Sequence, residues 1–318
     1  MSTKKILTVF GATGAQGGGI ISTFLNDAKL KNEWALRGVT RDVSKDSSKK
    51  LAARGVEVVA ADLNDKASLV KAVKDSYAVF AVTNYWEKAD ADLEIQQGKN
   101  LADAAKETGV QHYIWSTLYN VAEHSKGKLP NVYHFDSKAK VADYVRQLGI
   151  PATFFMPGFY QSNIPGGMFR PAPPDNNWTF ALPISGSAPI PLYIPSDTGK
   201  YVKAIVQNRE NLLGKEFLGA SEYSTPQKIV DTFKKLFPEA GAKASFQELP
   251  ADVYKGIIKQ AMQAPDFIVQ EMFENMRLME EFGYYFGADL EPSLKLVEDK
   301  LTSWEEFAKE APAFKELK

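Results

Sequence analysis

The stretch ILTVFGATGAQGGGI, Ile6 to Ile20, decides how this chain is read. Ile6 to Phe10 is a short apolar run of the kind that forms a buried strand, and it breaks at Gly11. Glycines recur at Gly14 and Gly17, ahead of a stretch from Ile20 to Lys29 that reads as a crossover helix. Strand, tight glycine turn and helix start together make a cradle for a dinucleotide diphosphate. The glycines let the backbone turn sharply and approach the ligand, and its charge sits on the exposed amides and positive dipole of the helix start. Glycines also mark plain turns; the preceding strand at the start of the chain is what strengthens the motif.

Outward from this motif, apolar strands and amphipathic helices alternate. Expected strands are Trp34–Thr40, Val56–Ala61, Ala78–Thr83, His112–Thr117 and Ala152–Met156. Expected helices between them are Lys45–Arg54, Lys66–Asp75, Leu93–Glu107 and Phe135–Leu148. Strands joined by helices of this length need parallel pairing with right-handed crossovers, so the fold class is α/β, a doubly wound parallel Rossmann sheet. Residues 1–157 form the expected dinucleotide-binding domain, with 197–222 returning to it through a strand at Glu216–Ala220. Residues 158–318 form a smaller α+β domain for a substrate or partner. Eight of the 17 prolines fall between Pro165 and Pro195 among Met168, Phe169, Trp178 and Phe180, which predicts an ordered, irregular lid beside the cleft. Helices are expected at Thr225–Phe237, Asp252–Met262 and Asp266–Phe282, and a last one capped by Ser303 and Glu306. Val269, Met272, Phe273, Met276 and Met279 form a stripe expected to be core.

Composition narrows the function classes. The 318 residues are 44% hydrophobic and 24% charged, ordinary globular values. With 38 basic and 39 acidic residues the net charge is -1, and no basic stripe suits direct nucleic-acid binding. There is no cysteine, and His112, His124 and His134 are too few and scattered for zinc, so no metal is expected. No apolar run is long enough for a membrane span, and a reducing compartment, cytosol or nucleus, is the expected location.

Ligands bind such sheets off the carboxyl ends of the strands. The second strand ends in Val39-Thr40-Arg41-Asp42. A guanidinium at Arg41 would pair with a 2′-phosphate, so NADP(H) is preferred, while Asp42 keeps NAD(H) open. Asp62 and Leu63 end the third strand, where they can wall the adenine or simply start a turn. Ser116-Thr117 ends the fifth, and His134 and Lys138 stand one helical turn apart on a shared face.

GATGAQGG at Gly11 to Gly18, VTR at Val39 to Arg41, VTNYWE at Val82 to Glu87, HFDSK at His134 to Lys138 and PGFYQSN at Pro157 to Asn163 together resemble the NmrA-like family of atypical short-chain dehydrogenases. The resemblance implies an NAD(P)(H)-binding protein of redox-sensing type, a regulator of transcription through a protein partner with weak or no dehydrogenase turnover. Other branches are reductases, so the alternative is NADPH-dependent reduction of a hydrophobic carbonyl, quinone or conjugated double bond. By the same resemblance Gly11, Thr13, Gly14, Ala15, Gln16, Gly17 and Arg41 would hold the adenine and phosphate half, and Thr83, Asn84, Lys138 and Phe159 the nicotinamide half. Short-chain dehydrogenases carry Tyr and Lys where this chain has His134 and Lys138. Lys138 can still grip the ribose, but the usual proton donor is replaced by an imidazole, which can do acid–base work or merely start a helix. Met168 to Phe180 with Tyr284, Tyr285 and Phe286 would cover a hydrophobic substrate.

Overall fold

The computed structural model describes residues 4–317. Its strands are β1 Lys5–Val9, β2 Trp34–Thr40, β3 Glu57–Ala60, β4 Ala78–Ala81, β5 His112–Ser116, β6 Ala152–Pro157, β7 Phe159–Tyr160, β8 Phe169–Ala172, β9 Asn177–Leu182, β10 Ile190–Tyr193, β11 Glu216–Gly219, β12 Glu222–Ser224 and β13 Ser245–Glu248. Seven of them form one sheet in the order β11-β6-β5-β4-β1-β2-β3, every pair parallel. The strand from Glu216 does return to this sheet, against β6. Strand order reverses between β1 and β4, which opens a crevice at their carboxyl ends.

Both faces of the sheet are covered, as apolar parallel strands require. One face takes Ile20, Ile21 and Phe24 from the helix Ala15–Asn26, and Tyr201, Val202 and Ile205 from the helix Thr198–Gln207. The other takes the helices Lys66–Val73, Ala91–Glu107 and Tyr133–Gln147 through Leu69, Leu101, Val141 and Val145. A third apolar cluster, with Phe169, Phe180, Phe233 and Phe314 at its centre, organises the remainder.

Three expectations are corrected. The first helix begins at Ala15, not Ile20: Gly17, Gly18 and Gly19 read as loop but are helical, and Gly17 and Gly19 are glycine because neighbouring backbone leaves no room for a Cβ. The segment from Pro165 to Pro195 is irregular only between its three strands. β8 and β9 pair antiparallel and β9 takes β13 alongside it, while β10 lies between β12 and β7. Its prolines are tolerated: Pro171 lies on the edge strand β8, and Pro191 precedes the residues of β10 that pair with β7. The methionine stripe is split. Val269, Met276 and Met279 are buried, whereas Met272 and Phe273 are half-buried. The Ser303–Glu306 capping box is present.

Candidate functional site

The glycine turn opens the site. β1 runs out at Val9, and Gly11 adopts a left-handed φ of 61° that a side chain would strain. The Gly14 N–H donates to the Gly11 carbonyl at 2.8 Å, closing the turn. A Cβ at Gly17 would overlap that same carbonyl, so only glycine lets the helix pack this close to the strand end. Gly14 caps the helix without a side-chain acceptor, and the first turn holds no acid. Gly11, Thr13, Gly14 and Ala15 are exposed. The positive end of a 12-residue helix therefore faces open space.

That space is a cavity of about 1150 Å³ at the crevice between β1 and β4. Every residue expected from the sequence to hold the dinucleotide lines it, from Gly11 and Arg41 to Lys138 and Phe159, and so does His134. At one end Arg41 is two-thirds exposed, and its Nη1 lies 2.5 Å from Glu87 Oε1, which raises the guanidinium's already high pKa. Asp42 Oδ1 is taken up locally, accepting from the Ser44 N–H at 2.8 Å and Oγ at 2.6 Å; those bonds lower its pKa. Asp62 Oδ1 likewise starts a turn, accepting from the Asn64 N–H at 2.8 Å.

In the middle stands a group that sequence reading missed. Glu94, almost fully buried, accepts from Thr83 Oγ1 at 2.7 Å, from the Ser137 hydroxyl and from the Lys138 ammonium. Lys138 Nζ also lies 3.4 Å from Thr83 Oγ1. Glu94 shares a helix face with Gly98, Leu101 and Ala105, all buried, and an acid on such a stripe was the available signal. Gln16 donates to the Tyr160 hydroxyl at 2.7 Å and accepts from Ser116 Oγ at 3.0 Å, tying the helix start to the ends of β5 and β7. Burial drives the Tyr160 phenol pKa upward.

His134 is no free surface histidine. Its Nδ1 is 2.6 Å from Oε1 of Glu271, a carboxylate with no solvent exposure, and its backbone N–H donates to the same oxygen at 2.8 Å. Oε2 of Glu271 accepts from the Tyr85 hydroxyl at 2.7 Å, and burial pushes that phenol's pKa well up. The ring packs between Trp86 and Phe135, with centroids 4.8 Å from each. Tyr133, the residue before it, turns away to donate to Asn131 at 2.7 Å.

Beyond His134 and Lys138 the lining becomes apolar: Leu118, Phe159, Met168, Met272, Met276 and Tyr284. The expected aromatic cover is corrected here. Met168 and Tyr284 line the cavity, but Phe169 and Phe180 are core, Trp178 packs at a tilt against Phe233, and Phe286 sits against Tyr119 and His124. Tyr285 is buried, its hydroxyl donating to the Met156 carbonyl at 2.8 Å. Those rings fill the third cluster, where burying their area contributes more than an exposed lid could. Among the described residues no three acids or histidines are grouped to hold a metal ion, and no helix is long and apolar enough to cross a membrane.

Residues 3–308 match the model of the NmrA-like family. An Aspergillus flavus protein named NmrA-like family domain-containing oxidoreductase lnbB is 30% identical over 277 residues, 80% of each chain. The negative transcriptional regulator NmrA, solved with NADP and with NAD, superimposes with a TM-score of 0.79 at 21% identity, covering 99% of this chain and 97% of that one. The Citrobacter sp. triphenylmethane reductase complexed with NADP(H) gives 0.75 at 21% identity over 96% and 99%. With a family model spanning nearly its whole length and a relative at this identity, the chain belongs to the NmrA-like family.

Proposed function

We propose that the chain binds NADP(H), or NAD(H), across this cavity and reduces a hydrophobic carbonyl, quinone or conjugated double bond. The observation that carries the reading is the far end of the cavity, where Phe159, Met168, Met272, Met276 and Tyr284 line open space rather than fill it. The cradle fits a diphosphate: the collision a Cβ would make at Gly17 keeps the turn compressed, and its exposed amides have no acid beside them. Gly11, Thr13, Gly14, Ala15, Gln16 and Gly17 would face the diphosphate, and Arg41, Asp62 and Leu63 the adenosine. Thr83, Asn84, Lys138 and Phe159 would face the nicotinamide riboside. A bound dihydronicotinamide supplies hydride. Lys138, oriented by Glu94 and Thr83, would hydrogen-bond the ribose, and His134 would give the proton. On this reading residues 1–157 with 197–222 hold the dinucleotide, and the rest of 158–318 supplies the acceptor side.

A second reading is a redox-sensing regulator with little turnover. What favours it is the absence of tyrosine at position 134 together with a Lys138 ammonium already engaged by Glu94. Isothermal titration should give NADPH binding that Gly14→Val removes, since a Cβ there starts 3.2 Å from the Gly11 carbonyl and branches into the cradle. A panel of apolar acceptors followed at the NADPH absorbance band then separates the readings. Turnover that disappears in His134→Ala supports the reductase. Intact binding with no turnover across the panel supports the sensor.

A further inference from the structure

We infer that Glu271 is a positioning residue that makes His134 the proton donor to carbonyl-type acceptors, an assignment that rests on the reductase reading above. A carboxylate can only accept, so the 2.6 Å contact places a proton on Nδ1 of His134 and directs Nε2 away from Glu271. Nε2 has no partner among the described residues, and the side chain lines the cavity. Glu271 is itself held on both oxygens, by the His134 backbone N–H and ring on one and by Tyr85 on the other. It pairs with no Lys or Arg among the described residues, so the imidazole of His134 is the one basic side chain in contact with it there. The one ammonium nearby on the same helix face, Lys138, is matched by Glu94 instead. The site thus keeps two separate acid–base contacts a helical turn apart, Lys138 with Glu94 on the proposed ribose side and His134 with Glu271 on the proposed acceptor side.

In the step this supports, the acceptor's carbonyl carbon takes the hydride from bound NADPH and its C=O π pair moves onto oxygen. That oxygen takes the proton from His134 Nε2, giving the alcohol. The ring is left neutral with its Nδ1 proton still donated to Glu271, and solvent returns the proton to Nε2. A cationic carbon acceptor differs in one respect: hydride alone neutralises it, and no proton is required.

The test uses that difference. Wild type, His134→Ala and Glu271→Gln are assayed at saturating NADPH with cinnamaldehyde and with the malachite green cation, and the two kcat/KM values are divided. The aldehyde-to-dye ratio is expected to fall about 100-fold or more in both variants, the range of a lost general acid. Tyr85→Phe, which loosens only the Oε2 side, should lower it about tenfold and carries the test should Glu271→Gln fail to fold. A ratio that stays within about threefold overturns the inference even if both activities drop, because a merely structural role moves both together. Wild type that reduces the dye but not the aldehyde overturns it too, while leaving the reductase reading standing. Wild type that binds NADPH and reduces neither of these nor any acceptor of the panel above ends both.

Discussion

At the residue scale, the proposed preference for NADP(H) rests on Arg41, and Glu87 competes for it. Their ion pair is exposed, and such pairs contribute about 0–1 kcal/mol. A 2′-phosphate offers a forked acceptor of higher charge, for which a charge-assisted bond contributes about 1.5–3 kcal/mol, so the phosphate should displace Glu87. Arg41→Ala is therefore expected to weaken NADPH by about 1–3 kcal/mol and leave NADH nearly unchanged. Glu87→Gln should tighten NADPH by up to about 1 kcal/mol. Titration calorimetry with both cofactors checks this; equal changes for NADPH and NADH would show that Arg41 does not read the phosphate. Arg41, Lys138 and the glycines were legible in the sequence because strand ends and helical spacing fix where they go. Glu94 and Glu271 were not, since their partners lie 44 and 137 residues away along the chain. They are visible only as acids on otherwise buried helix stripes, Glu271 and Glu274 beside Leu278.

At the element scale, the helix that carries the cradle is clamped by a helix from the second half of the chain. A Cβ on Gly19 would lie 2.6 Å from the Pro195 carbonyl, and one on Gly199 would overlap Thr23 Oγ1 and lie 2.5 Å from the Gly19 carbonyl. Alanine would add helix propensity of up to about 1 kcal/mol, but forcing backbones apart costs about 1–3 kcal/mol. Gly19→Ala and Gly199→Ala should each lower the urea midpoint. Gly256, exposed inside the helix Ala251–Met262, has nothing within 4 Å of its would-be Cβ. There Gly256→Ala should raise the midpoint, reflecting about 0.5–1 kcal/mol of added stability. If all three substitutions moved stability the same way, the packing argument would fail. The same contacts explain why elements were only partly legible. Alternation of strand and helix is a local pattern, so the parallel sheet and its returning strand could be read. Glycines 17 to 19 look like loop until the helix packed on them is known, and prolines between Pro165 and Pro195 look irregular until each strand's edge is known.

For the whole molecule, two buried titrating groups set opposite pH slopes. His112 in β5 is fully buried, with Nε2 2.9 Å from Thr153 Oγ1 and Nδ1 unpartnered. Burial, with a smaller contribution from Arg209, lowers its pKa from 6.5 to about 3. Below pH 6.5 the unfolded chain binds a proton that the fold refuses, so this histidine removes stability as pH falls. Asp136 caps the short turn at Val121 through that residue's N–H at 2.6 Å, and burial raises its pKa from 3.8 to about 6 despite the bond. Between those values the folded chain binds the extra proton, so Asp136 contributes stability that is complete below pH 3.8 and lost as pH rises through 6. Each slope is about 1.4 kcal/mol per pH unit, and between pH 6 and 4 they nearly cancel. The ion pair of Asp27 with Lys203, which lowers the Asp27 pKa to about 2, is lost only below that window. Stability of the unliganded protein from urea unfolding should therefore be nearly flat from pH 6 to 4. Removing one group uncovers the other. Acidification over the same window should strengthen His112→Gln by about 2 kcal/mol and weaken Asp136→Asn by about as much. Two variants whose profiles both ran parallel to wild type would show that neither group is buried as described.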